Sequence, residues 1–424
     1  MTVPEIPPDR PDGDPAIAVA MGEALGALLT DTAELPACEL TQVVDIAGRI
    51  LGATSARMLV ADYGLRSLQE LGENGPLGPR MLIEGTVAGR CFATGDIIVG
   101  SGQPATVWVP LTEGSERLGV LELEHGAWTD SLRQIVAPVV RVLVLVLISK
   151  RRYTDVVLRG RRSEPLSVAA EIQWSLLPPL TCSTSAVSVS GILEPAYSIG
   201  GDFFDYALNP DRAEFAIVDA VGHGIAAVSI AVLALNGLRN ARREMHDLAQ
   251  AYLETGEVIR SQTGEGAFAT AQVASLELDT GTLTWLNAGH PLPLLVRDRT
   301  FVGPLVCRAS LPMGLGGTVN EIAVERLQPG DRVLFYTDGV TESHAPGEEV
   351  FGVDRLADLL VRASTEESSP AETVRRLAAA VMSYNAQPLR DDATLLIVEY
   401  HGPPQRPSGE NSVNRPHAES GGHG

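Results

Sequence analysis

The chain has 424 residues, 45% of them hydrophobic and 20% charged, with a formal net charge of −21. That length exceeds one ordinary domain and suits two, and the apolar share is enough to bury real cores. A field this negative repels polyanions, so nucleic acid is not an expected partner.

The four cysteines, Cys38, Cys91, Cys182 and Cys307, stand far apart with no CxxC pair. Neither a zinc knuckle nor a disulfide framework follows, and a reducing cytoplasm fits. Residues 1–14 open an acidic, proline-rich stretch (MTVPEIPPDRPDGDP) with no basic or apolar part of an export signal, and are expected to be disordered. Helical spacing of apolar residues follows over 15–30 and again over 40–51 (LTQVVDIAGRIL). Residues 56–61 (ARMLVA), 106–111 (TVWVPL) and 118–123 (LGVLEL) read as strands between Gly, Pro and charged turns. The run 135–149 (IVAPVVRVLVLVLIS) is shorter than the roughly 20 residues of a membrane span. It contains Pro138 and Arg141, so it reads as a buried helix and no membrane contact is expected.

This order of helices, strands and a closing helix resembles a GAF domain over residues 15–150, notably in IEGTVAGRCFATGDI, VWVPL and ERLGVLEL. The resemblance implies a sensor with a small ligand as candidate partner. Residues 151–178 read as a helical connector. Its basic groups KRR and RGRR suit a solvated helix, while Tyr153, Val156, Val157 and Leu158 are candidates for a coiled-coil seam and a homodimer.

From 179 to 400 the texture is short strands with Gly-rich turns: 187–193, 203–208, 214–219, 267–278, 282–287, 332–336 and 394–399. Helices are expected at 225–243, 248–261, 353–362 and 371–384. Two sheets with helices outside would bury both sets of apolar faces, which makes a layered α+β sandwich the expected architecture. Residues 401–424 are polar and rich in Pro and Gly, and are expected to be a disordered tail.

Four aspartates stand where a strand runs into a turn: Asp202 in GGDFFDY, Asp219 in IVDAVGHG, Asp338 in FYTDGVTE and Asp391 in RDDATLLIVEY. One such residue alone is ordinary turn chemistry. Four at strand ends can converge on a hard cation such as Mg²⁺ or Mn²⁺, which favours oxygen ligands and keeps several waters.

Across roughly 169–399 these motifs, in order with AEIQWSLLPP, NAGHPLPLLV and LQPGDRVLFYTDGVTE, resemble the SpoIIE-type branch of the PPM metal-dependent protein phosphatases. The resemblance implies an αββα sandwich, two divalent cations (Mn²⁺ or Mg²⁺), and hydrolysis of phosphoserine or phosphothreonine on a protein. It also implies a STAS-type anti-anti-sigma factor as substrate, in partner-switching control. Carried onto this chain, Asp219 bridges two metals, Asp338 and Asp391 bind the first, the carbonyl of Ala220 binds the second, and Asp202 holds metal-bound water. His223 is either the proton donor to the leaving oxygen or a cap for the following helix. Asn287 and His290 read as supports of a turn, and the roles of Asp205 and Asp392 stay open. The rival reading is a degenerate, phosphoprotein-binding scaffold, although every expected ligand position keeps its acid. A kinase is disfavoured because no Gly-rich phosphate loop followed by Lys is present.

Overall fold

The structure, a computed structural model, describes residues 15–195, 197, 200–264, 266–343, 349–385, 389 and 391–404. The expected disordered ends, 1–14 and nearly all of 401–424, lie outside these residues, as do Ser198 and Ile199 of the YSIGG motif.

The N-terminal part runs α1 (Pro15–Ala33), α2 (Leu40–Ile50), β1 (Ser55–Ala61), β2 (Ser67–Gly72), β3 (Gly75–Leu82), α3 (Val87–Thr94), β4 (Ile98–Val99), β5 (Ala105–Glu113), β6 (Glu116–His125) and α4 (Asp130–Arg151). Its strands form one antiparallel sheet in the order β3-β2-β1-β6-β5-β4. Strand alternation decides what each face covers. Met58, Val60, Val107, Val109, Leu111, Leu121 and Leu123 share a core with α2 and α4, whereas Leu59, Ala61 and Val120 join Phe92 of α3 and the C-terminal part. Strand β3, not expected from the sequence, is an edge strand carrying Pro76 and Pro79, where a missing donor costs no ladder bond.

The apolar run 135–149 lies within α4, whose Val136, Val139, Val140, Leu143, Val144 and Leu147 are buried, while Arg141 and Leu145 face outward. By length and composition alone, α1, α4 and Gly224–Arg243 are each long and apolar enough to cross a membrane.

The expected coiled-coil seam does not form. Helix α4 ends at Arg151, and α5 (Val156–Arg161) is a single short helix packed back on the N-terminal sheet. Val156 and Val157 are buried there, while Tyr153 is exposed, so the apolar residues are spent on the domain's own core. Helix α6 (Val168–Leu176) then leads into the second part.

That part continues β7 (Thr181–Ser183), β8 (Val187–Glu194), β9 (Asp202–Leu208), β10 (Arg212–Ala220), α7 (Gly224–Arg243), α8 (Leu248–Thr263), β11 (Ala269–Glu277), β12 (Thr282–Ala288), β13 (Leu294–Arg297), β14 (Thr300–Pro304), β15 (Ala323–Arg326), β16 (Arg332–Tyr336), α9 (Asp338–Thr341), α10 (Val353–Thr365), α11 (Pro370–Tyr384) and β17 (Ala393–Tyr400). Two antiparallel sheets result, β15-β12-β11-β10-β9 and β14-β13-β16-β17-β8-β7. Phe203, Ala216, Val218 and Ala220 pack with α7 and α8, while their neighbours Phe204, Phe215 and Ile217 share the core with Ile192, Leu334 and Leu396 of the other sheet. Burying each such side chain is worth about 1.5–3 kcal/mol. Helices α10 and α11 cover the six-stranded sheet, which completes the layered α+β sandwich. His401, expected to begin a loose tail, is tied down: its N–H donates to Ala186 O at 2.7 Å.

The two parts meet over a broad face. The Tyr63 ring lies 4.6 Å from that of Trp174 on α6, and Arg66 pairs with the buried Glu194 of β8. On α11, Glu372 accepts from Arg375 and Arg376 and pairs with Arg117 of β6, while Arg375 also reaches Glu84.

Candidate active site

Parity and register place the acids. Asp202 opens β9 and stands opposite Asp219 near the end of β10. Both belong to the alternation that faces the second sheet, with Phe204, Phe215 and Ile217. On that sheet Tyr336 pairs with Leu395, so Thr337 and Asp338 leave β16 beside the point where Asp391 and Asp392 enter β17. Four strand ends thereby meet at one mouth of the sandwich. Gly339 is required here, because a Cβ would sit 2.0 Å from the carbonyl oxygen of Asp392.

Hydrogen bonds fix the floor. Thr337 Oγ1 donates to Asp202 Oδ2 at 2.7 Å and accepts from Thr394 N at 2.9 Å. The main-chain N–H of Asp202 donates to Asp392 Oδ2 at 3.1 Å. Gln173 of α6, fully buried, donates from Nε2 to the Asp202 carbonyl at 2.6 Å and lies 3.5 Å from Asp392 Oδ2. Gln173, Thr337 and Thr394 are therefore site residues that sequence reasoning missed, and Asp392, whose role the sequence left open, belongs with them. The available signal was a glutamine inside an otherwise apolar helical face, in EIQWSLL.

Among the described residues, nothing compensates the charge in this cleft. Burial, then Asp338 and Asp391, push the Asp219 carboxyl up to about 7, with an opposing hydrogen bond from Asp202. Burial, then Asp219 and Asp392, raise Asp202 well above the ordinary carboxylate range. Asp392 is held at about 7, chiefly by burial. Asp338 is raised by burial, then by Glu342 and Asp391. Among the described residues no ion pair reaches any of these acids, and Oδ1 of Asp392 is buried without a hydrogen-bond partner.

This donor set, all oxygen with an orphaned carboxylate atom, fits hard divalent cations. Among the described residues no three acidic, His or Cys side chains lie together so as to hold a metal ion by themselves. Asp202, Asp219, Asp338 and Asp391 are brought together as expected, and Ala220 ends β10 beside Asp219. His223 lies on the adjoining loop between Gly222 (φ +94°) and Gly224 (φ +70°), a turn that needs left-handed backbone at both glycines. It occupies the N-cap position of α7 yet makes no capping bond with its side chain, and it is exposed.

Asp205 belongs elsewhere. It faces α7, taking Arg239 at 2.7 Å and Arg242 at 2.9 Å, and Arg239 also donates to the last-turn carbonyl of Leu176.

The profile of the family described as Stage II sporulation protein E (SpoIIE) matches residues 209–401. Protein IcfG of Synechocystis is 24% identical over 223 residues, 46% of this chain and 35% of that protein, so the match spans about a third of its length. Phosphoserine phosphatase RsbU of Bacillus subtilis is 25% identical over 254 residues, 57% of this chain and 72% of RsbU. The solved RsbU and RsbW domains of a Mycobacterium tuberculosis protein share 26% identity over 52% of this chain and 63% of theirs, with a TM-score of 0.45. Residues 209–401 thus constitute a SpoIIE/PP2C-type phosphatase domain.

Proposed function

We propose that the protein is a metal-dependent phosphatase that removes phosphate from serine or threonine of a protein, a STAS-type anti-anti-sigma factor in a partner-switching pathway of the cytoplasm, under control of a GAF-like N-terminal domain. One observation carries this reading: five carboxylates from four strand ends crowd one cleft, with no basic partner among the described residues. The similarity to RsbU supports the substrate class.

Asp219, Asp338 and Asp391 would hold the cations by their carboxylates and Ala220 by its carbonyl. Bound Mn²⁺ or Mg²⁺ would supply positive charge toward the phosphoryl oxygens and would acidify a water molecule. Asp202, kept in place by Thr337 and by its own main chain, would hold the metal-bound water. His223 is free to give a proton from its imidazole to the leaving serine oxygen, since its side chain does not cap α7. For the N-terminal domain, a small ligand has room in a groove of about 250 Å³ between α2 and β1–β2, lined by Thr41, Asp45, Arg57 and Glu70.

The test uses the full chain. A phosphoserine peptide and a phosphorylated STAS protein are incubated with Mn²⁺, with Mg²⁺ and with chelator. Release of phosphate only with metal, faster from the STAS protein, is expected. Metal-independent release, or none, refutes the reading.

A further inference from the structure

His290 lies outside the acid cluster, is fully buried, and spans the two sheets. Its Nδ1 is 2.8 Å from the Thr270 hydroxyl on β11, and its Nε2 is 3.1 Å from the carbonyl of Tyr336 on β16. A carbonyl only accepts, so Nε2 carries the proton and Nδ1 accepts from Thr270. Burial supports this neutral form by pushing the imidazole down to about 3, against the bond to Tyr336. The loop that presents the ring is itself fixed. The His290 N–H donates to Asn287 Oδ1 at 2.8 Å, and Gln272 Nε2 donates to the Pro291 carbonyl at 3.0 Å.

The two ends of this bridge are not arbitrary positions. Thr270 stands directly opposite Asp219 in the β10–β11 register, and its hydroxyl is 3.5 Å from the Asp219 carbonyl. Tyr336 is two residues before Asp338 on the other sheet. Asp219 stands on one sheet and Asp338 leaves the other, so the separation of these two carboxylates is set by whatever holds the sheets together at this mouth. The direct bond from Thr337 to Asp202 ties the sheets on one side of Asp219. The imidazole is the corresponding tie on the other side, through β11.

We propose that His290 is a positioning residue: it sets the separation of Asp219 and Asp338 by bridging Thr270 to Tyr336, and so sets the affinity of the cleft for divalent cations. This rests on the phosphatase reading above for its purpose, but its test does not require turnover. A buried histidine that merely fills space would affect stability alone. A bridge of this kind acts on the cations through the ligands' supports, where losses of about 10–100-fold in metal affinity are typical.

Mn²⁺ binding to the full-length protein is measured by calorimetry without substrate, with melting temperature recorded in chelator on the same samples. His290→Leu removes both polar ends of the bridge, and Thr270→Val removes only the hydroxyl that Nδ1 accepts from, so the milder variant keeps the test open should the first not fold. Each is expected to weaken Mn²⁺ binding about tenfold, with the double variant no weaker than His290→Leu alone, because both break one bridge. Folded variants with wild-type Mn²⁺ affinity and a lowered melting temperature overturn the proposal, as does additivity in the double variant. If wild type binds Mn²⁺ and hydrolyses no phosphoprotein, the function above fails while the bridge is still judged on binding. Absence of Mn²⁺ binding by wild type overturns both.

Discussion

Two clusters of buried charge sit in this molecule, one at the mouth of the sandwich and one between α11 and the N-terminal sheet, and they are built on opposite plans. In the second, burial alone would raise the Glu372 carboxyl, but the hydrogen bond and charge of Arg375, then Arg117, hold it below its usual range. Arg117, which shares that one glutamate with two other arginines, is left lowered by its burial. Every charge there has an opposite partner. At the mouth, Asp219, Asp202, Asp338 and Asp392 have none among the described residues, and their carboxyls are raised instead. A balanced cluster fixes an interface, while an unbalanced one is poised for a ligand of the missing sign.

The contrast can be broken most sharply with Asp219→Asn. Turnover should fall by about a thousandfold or more, roughly 4 kcal/mol of transition-state stabilisation, while the chelated protein melts no lower than wild type because a repulsion is gone. Phosphopeptide hydrolysis and calorimetry on one sample check both. Glu372→Gln should do the reverse. It strands Arg117 and weakens the hold on Arg375, at a cost of about 3 kcal/mol in denaturant unfolding, with the rate at saturating Mn²⁺ unchanged.

The pH response distinguishes the clusters next. Asp219 and Asp392 are raised from 3.8 to about 7 on folding, so between those values the native state binds more protons than the unfolded chain. Stability of the chelated protein is then greatest at low pH within this window and declines as pH rises toward 7. A scan from pH 5 to pH 8 in chelator should show a melting temperature lower by several degrees, and Mn²⁺ should remove most of that decline. A flat profile in chelator would contradict the unbalanced cluster. Smallest is the exposed pair Arg299–Glu367: Arg299→Ala should shift stability by no more than about 0.5 kcal/mol, setting the scale for charges that water already screens.

Most of the sandwich was legible because β8, β10, β11, β16 and β17 are dense apolar runs buried on both faces, and α7, α8, α10 and α11 carry helical periodicity. The missed strands β7, β13, β14 and β15 are three to five residues long, and β14 alternates exposed with half-buried positions. Such short strands leave little hydrophobic pattern to read. The aspartates were found because strand-end acids stand out in sequence. Gln173 and Thr337 were not, since an uncharged side chain acquires its meaning only when the fold delivers Asp202 and Asp392 to it. The seam expected at Val156 and Val157 failed for the same kind of reason: the six residues from Tyr153 to Leu158 cannot reveal which surface their apolar side chains will meet.

The continuous apolar contact between the two parts bears on how the protein can be dissected. Leu59, Ala61, Leu65, Ile83, Phe92 and Val120 of the first part belong to the same buried cluster as Val189, Val374 and Leu377 of the second. Cutting the chain ahead of α6 would uncover both sides of that contact in water, and fragments with large fresh apolar faces tend to self-associate. Proteolytic fragments of this protein should therefore be sticky and poorly soluble, and heat should melt the intact chain in one cooperative step rather than part by part.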